Sequence, residues 1–197
     1  MPPEYLGELL EIINIKDGYT KAHSDTVSML ATQLGSKLGI RSEPALNLLG
    51  RAGWLHDIGK IIIPTTILSK PWALDAWERK IVDKHAVIGA ELVRIEKRYG
   101  AIISPIILYH HEWFDGSGQY GLLEGEIPRF SRIISIVDSY DAMYSDRPYR
   151  GPRELDFIQN EFIVCSGTQF DPVIVDVFFK MMGWPDIKRK GKSFPKK

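Results

Sequence analysis

Residues 43–60, EPALNLLGRAGWLHDIGK, decide how the rest of the chain is read. Leu46, Leu49, Ala52 and Gly53 fall at i, i+3, i+6 and i+7, with Ile58 five residues further on, the period of an amphipathic helix rather than a strand. Glu43-Pro44 predicts the start of this helix, because proline fits a first turn where an amide hydrogen would lack a partner. Gly59 predicts its stop. The same period extends outward over Tyr5, Leu9, Ile12 and Ile13, and over Val27, Leu30, Ala31, Leu34 and Leu38. Asp75 with Glu78 three residues on predicts a capping box, and Gly100 breaks the pattern between Val93 and Ile102. A helix carrying Ile106, Ile107, His110 and His111 then runs into the loop Asp115-Gly116-Ser117-Gly118. Ile133, Ile134, Val137 and Met143 follow Pro128, and Asp171-Pro172 starts a last apolar helix through Phe179. The β-branched runs 61–63 and 133–137 could be strands. Prolines 64 and 71 punctuate the first, however, and the second sits inside a longer helical pattern. The expectation is an all-α, single-domain helical bundle.

The 197 residues carry 25 basic and 25 acidic side chains, a balance that argues against a partner of polymeric nucleic acid. A small anionic substrate stays open, since a site can be positive inside a neutral protein. Cys165 is the only cysteine, so no intrachain disulfide can form. No apolar run reaches the roughly 18–20 residues of a membrane span, and MPPEYLGELLEII does not resemble a signal peptide. A cytoplasmic protein without membrane contact is expected. The ending KRKGKSFPKK (188–197) reads as a solvated basic tail.

His56-Asp57 lies in apolar company, where a charged pair is costly unless something satisfies it. Taken alone it also fits a buried ion pair. His110-His111 repeats the arrangement after IISPIILY, and Asp138 sits inside SRIISIVDSYDAM. His23 and His85 complete the five histidines. Imidazole and carboxylate without thiolate suit manganese, iron or zinc better than a cysteine-rich structural zinc site. Neighbouring side chains on a helix diverge by about 100°, so a histidine pair on one would not chelate a single ion. Two ions roughly 3.5–4 Å apart would let each member of a pair serve a different ion, with an aspartate bridging.

The ordered set HDIGKIIIPTTILSKP (56–71), His85 with Gly89, HHEWFDGSG (110–118), IVDSYDAM with RPYR (136–150) and GTQFDP (167–172) resembles the HD-GYP domains. These are a branch of the HD phosphohydrolase superfamily that hydrolyses cyclic di-GMP. The similarity runs from YTKAHSDTV (19–27) to about Phe179. It implies a helical bundle of the HD-domain type with a metal centre in its core, spanning 19–183. A helix within 1–18 would pack on that domain, and 184–197 would form the tail.

The resemblance implies that His23, His56 and Asp138 hold one divalent ion, that His85, His110 and His111 hold a second, and that Asp57 bridges them. Iron or manganese is favoured, with zinc, magnesium or nickel as alternatives. Tyr19 stands where some members place a glutamate for a third ion, so two are expected. Asp57 and Lys60 would be catalytic, with Lys60, Arg147 and Arg150 contacting substrate phosphates. The implied reaction is attack by a metal-bridging hydroxide on cyclic di-GMP, giving pGpG, GMP or both.

The loop departs from Gly-Tyr-Pro: Gln119 and Tyr120 stand where tyrosine and proline would. That loop is associated with substrate geometry and with docking of GGDEF or other signalling proteins. A catalytically weak cyclic di-GMP sensor or adaptor is therefore one alternative, and an HD phosphohydrolase of another nucleotide is the second. Glu112 and Asp115 read either as loop organisers or as partners of the histidines. Trp113 is weighed as a base-stacking residue against a packing role.

Overall fold

Three helix starts are set by short polar side chains that accept otherwise unpaired amide hydrogens. Ser42 accepts from Ala45, and Asp171 accepts from Val173 and Ile174. Asp75 takes the amides of Trp77 and Glu78 while Glu78 accepts the amide of Asp75, completing the expected capping box. The structure, a computed structural model, describes residues 4–17, 19–146 and 151–187. The helices are α1 (Glu4–Asp17), α2 (Thr20–Lys37), α3 (Glu43–Leu55), α4 (Thr65–Leu68), α5 (Ala76–Val82), α6 (His85–Arg94), α7 (Gly100–Leu108), α8 (Arg129–Tyr144), α9 (Leu155–Val164) and α10 (Pro172–Met181). A 3-10 segment, Ile58–Ile62, follows α3, and another covers Glu124–Glu126. Among the described residues there is no strand, only two isolated bridges, so the all-α expectation is met.

α2 is the central helix, packed against α1, α3, α8 and α10. Val27, Ala31 and Leu34 on α2 meet a core that includes Leu49, Ile107, Ile133, Ile134, Val137 and Phe178. Each such buried side chain contributes about 1.5–3 kcal/mol relative to leaving it in water. Trp184, beyond α10, packs its ring against Phe178 and Phe179 at centroid distances of 5.6 and 5.0 Å. No helix among the described residues is long and apolar enough to cross a membrane.

Two helix ends and one helix face differ from the sequence expectation. α3 stops at Leu55, not at Gly59, and the chain tightens into the 3-10 turn. Gly59 serves a close backbone crossing with α6 instead of a helix cap. A Cβ there would lie 2.0 Å from the carbonyl oxygen of His85 and 2.6 Å from the amide nitrogen of Gly89. α7 likewise stops at Leu108, leaving His110 and His111 in the following turn. On α1 the buried residues are Leu6, Leu10 and Ile13, whereas Ile12 is 47 % exposed. Lys16 holds that rotation by donating to the carbonyls of Ile61 (2.6 Å) and Ile63 (2.9 Å).

Candidate metal centre

Five pieces of backbone bring the expected ligands together. His23 comes from α2, His56 and Asp57 from the end of α3, His85 from the start of α6, His110 and His111 from the turn after α7, and Asp138 from α8. Their donor atoms form overlapping groups: His23, His56 and Asp138; His85, His110 and His111; and His56, Asp57 and His110. Asp57 lies between the first two. Its Oδ2 is 3.6 Å from His23 Nε2 and 3.5 Å from His56 Nε2, while Oδ1 is 3.4 Å from His85 Nε2. Asp138 Oδ1 closes the first group, 3.1 Å from His23 Nε2 and 3.7 Å from His56 Nε2. The turn places the rings of His110 and His111 only 3.8 Å apart, both beside His85. A continuous helix would have splayed them; in this turn, contrary to the expectation from helix geometry, both neighbours can face one ion.

Four histidines are oriented from behind. Nδ1 of His56 donates to Gly53 O (2.7 Å), that of His85 to Val82 O (2.6 Å) and that of His110 to Ile107 O (2.6 Å). In each case the acceptor is the carbonyl three residues earlier, which the helical backbone supplies. Because a carbonyl only accepts, the hydrogen sits on Nδ1 and Nε2 is left to face the centre. His23 Nδ1 donates instead to Asp141 Oδ2 at 2.6 Å. The sequence reading missed Asp141. Its available signal was a second carboxylate three residues after Asp138 on the same apolar helix. Tyr19 stacks on His23 and also donates to Asp141 Oδ2 at 2.9 Å.

The two groups differ in charge. Burial pushes the His85 imidazole down to about 4, with Asp57 offsetting only part of this. Burial also lowers His110, and desolvation by the surrounding protein lowers the His111 ring although that residue stands exposed at the rim. For His23, burial would lower the value, but hydrogen bonds to Asp138 and Asp141 and the charge of Asp57 raise it to about 9. Burial would raise the Asp57 carboxyl, yet Lys60 and the surrounding histidines hold it well below the usual carboxylate range. The His85 group is therefore neutral and the His23 group is rich in carboxylate. His85 and His110 nevertheless hold their Nε2 atoms 3.4 Å apart. With hydrogens on both Nδ1 atoms, lone pair faces lone pair, an arrangement a cation between them relieves. The donor set thus fits divalent metal.

At the rim, Lys60 Nζ lies 2.5 Å from Asp57 Oδ2 and is partly exposed. Buried Glu112 accepts the amides of Tyr120 (2.8 Å) and Leu122 (3.2 Å), and Asp115 accepts the amide and hydroxyl of Ser117. Both therefore organise the altered loop. Gln119 and Tyr120 line a cavity beside His111; Trp113 does not. Arg147 and Arg150 lie outside the described residues.

The family model described as HD domain matches residues 9–172. A cyclic di-GMP phosphodiesterase of Thermotoga maritima is 38 % identical over 184 residues, covering 90 % of this chain and 50 % of its own. The 3'3'-cGAMP-specific phosphodiesterase 2 of Vibrio cholerae is 33 % identical over 179 residues, covering 90 % of this chain and 34 % of its own. The solved structure of Bd1817, an HDG"Y"P protein from Bdellovibrio bacteriovorus, superimposes with a TM-score of 0.69 at 21 % identity, covering 83 % of this chain and 52 % of that one. This chain spans half or less of the length of these two sequence relatives.

Proposed function

Because the chain belongs to the HD-domain family and carries the ordered HD-GYP residue set, we propose that it is a metal-dependent phosphodiesterase opening a cyclic dinucleotide, with cyclic di-GMP first. The observation that carries this reading is Asp57, whose two oxygens face two different histidine groups. His23, His56 and Asp138 would hold one divalent ion and His85, His110 and His111 the other, with Asp57 shared. Nitrogen and oxygen donors without sulfur favour iron or manganese. When bound, such a pair supplies Lewis acidity toward a phosphoryl oxygen and lowers the pKa of a water.

The chain's own residues do the rest. The Nδ1 hydrogen bonds of His23, His56, His85 and His110 hold the rings in place before substrate arrives, so little reorganisation is needed. Lys60 stands at the open edge of the centre, where its ammonium can donate to a non-bridging phosphoryl oxygen as charge builds there. Two divalent ions and Lys60 together outweigh the carboxylates of Asp57, Asp138 and Asp141, which leaves the centre positive toward an anionic phosphodiester. Arg147 and Arg150 are assigned substrate phosphate by motif position alone.

Incubating metal-loaded protein with cyclic di-GMP and separating the products tests the proposal. Linear pGpG or GMP is expected. Bound but unchanged cyclic di-GMP would favour the sensor reading, which the Gln119-Tyr120 substitution of the loop motivates.

A further inference from the structure

Beside the metal centre, His111 forms one wall of a cavity of about 250 Å³. Ala86 and Leu108 add apolar surface, Tyr120 adds an aromatic ring, and Asp83, Gln119 and Glu112 supply polar groups, the Glu112 oxygens already accepting the Tyr120 and Leu122 amides. The volume is below the roughly 300–1,000 Å³ of pockets that enclose a drug-sized ligand, and suits a single purine base. Tyr120 is braced, its ring edge-to-face with Tyr109 at 5.2 Å and its amide held by Glu112. Neither the Asp83 carboxylate nor the Gln119 amide has a side-chain hydrogen-bond partner among the described residues. The two carboxylates in the wall, Asp83 and Glu112, disfavour a second phosphate here and favour a ligand that brings N–H donors.

We propose, resting on the phosphodiesterase reading above, that this cavity receives one base of the cyclic dinucleotide, with Tyr120 stacking on it and Asp83 selecting guanine. Aromatic stacking and hydrogen bonding to the Watson–Crick edge are the usual means of reading an unstacked base. Guanine presents two adjacent donors on that edge, N1–H and N2–H₂, which one carboxylate accepts together. Adenine presents a donor beside an acceptor and satisfies only one carboxylate oxygen. Gln119, which stands where the family has tyrosine, contributes an amide that can meet the guanine O6 or N7 through its NH₂. The departure in the loop thus becomes a specificity element of this chain.

The test compares cyclic di-GMP with cyclic di-AMP on metal-loaded wild type and on Asp83→Asn, reading both kcat/KM and equilibrium Kd. Wild type is expected to prefer cyclic di-GMP, and Asp83→Asn to shrink that preference about 10- to 100-fold, the discrimination one bidentate pair supplies. The Asn amide opposes one guanine donor and matches the adenine edge. Asp83 is exposed, so the melting midpoint of the variant should stay at that of wild type. An unchanged preference in Asp83→Asn, or no preference in wild type, overturns the assignment. Bis(p-nitrophenyl) phosphate, which has no base, separates the two readings on wild type. If neither it nor a dinucleotide is cut, the phosphodiesterase reading fails, and the Kd comparison still decides whether Asp83 reads guanine.

Discussion

His23 Nδ1 donates to Asp141 Oδ2 across 2.6 Å, although 118 residues separate the two in the chain. The bond keeps a hydrogen on Nδ1 and turns Nε2 toward Asp138 and Asp57. Asp141 is itself held, by Tyr19 on Oδ2 and by the Ser145 hydroxyl on Oδ1 at 2.8 Å. In the proposed centre it would act as a positioning residue for the His23 group, and among the described residues it makes no hydrogen bond to the His85 group. Carboxylates behind ligating histidines typically account for about 10- to 100-fold in metal affinity or activity. Asp141→Ala is therefore expected to weaken one of two ions by that factor and to leave the other unchanged. A competition titration with a chromophoric chelator reads both.

Gly59 tests the backbone crossing that brings Lys60 and Asp57 to His85. A methyl group at this position meets backbone atoms of α6 at 2.0 and 2.6 Å, and backbone cannot turn aside as a side chain can. Gly59→Ala should destabilise by about 3 kcal/mol, the upper range of overpacking, lowering the melting midpoint by roughly 6–12 °C for a domain of this size. Metal content should fall with it, because the two sides of the centre are pushed apart.

Glu112→Gln separates loop order from metal binding. The amide keeps the shape of the side chain but replaces one acceptor with a donor, so Tyr120 N–H or Leu122 N–H loses its partner. A buried unsatisfied group costs about 1–3 kcal/mol. KM for the dinucleotide should rise severalfold while ion content stays at the wild-type value, as steady-state kinetics and metal analysis on the same preparation would record.

The opposite titration of the two groups predicts a pH dependence of loading. In the metal-free protein His23 is held protonated up to about 9 by Asp138, Asp141 and Asp57 against the effect of burial. Its raised value stabilises the metal-free fold below the ordinary histidine range, a contribution lost as pH rises through about 9. An ion entering that group at neutral pH displaces this proton, so its apparent affinity should rise about tenfold per pH unit until about pH 9. His85 is neutral down to about 4, so loading of its group should be flat across neutral pH. Calorimetry in two buffers of different ionisation enthalpy should find proton release with one ion and not with the other.

Local signals were legible in the chain and distant ones were not. Asp75 with Glu78, Glu43-Pro44 and Asp171-Pro172 act within a few residues, and the helices begin where those residues say. The ends of α3 and α7 are set by tertiary contact: Gly59 meets a carbonyl of α6, and no property of residues 43–60 announces that neighbour. The same holds for α1, where periodicity gives a helix but Lys16 reaching the carbonyls of Ile61 and Ile63 fixes which residues face inward. The metal-type residues were visible because five histidines in apolar surroundings need an explanation. Asp141 was not, because a carboxylate on a helix announces a role only once the imidazole it orients is in view.

The central claim is that one carboxylate joins two ion-binding groups, and ion content per chain in Asp57→Ala tests it most directly. Wild type purified without chelator and loaded with manganese or iron should hold two ions per chain. Asp57→Ala should lose the second fully and the first in large part, since Asp57 Oδ1 and Oδ2 face opposite groups. An Asp57→Ala protein that folds and keeps both ions at wild-type affinity would contradict the account.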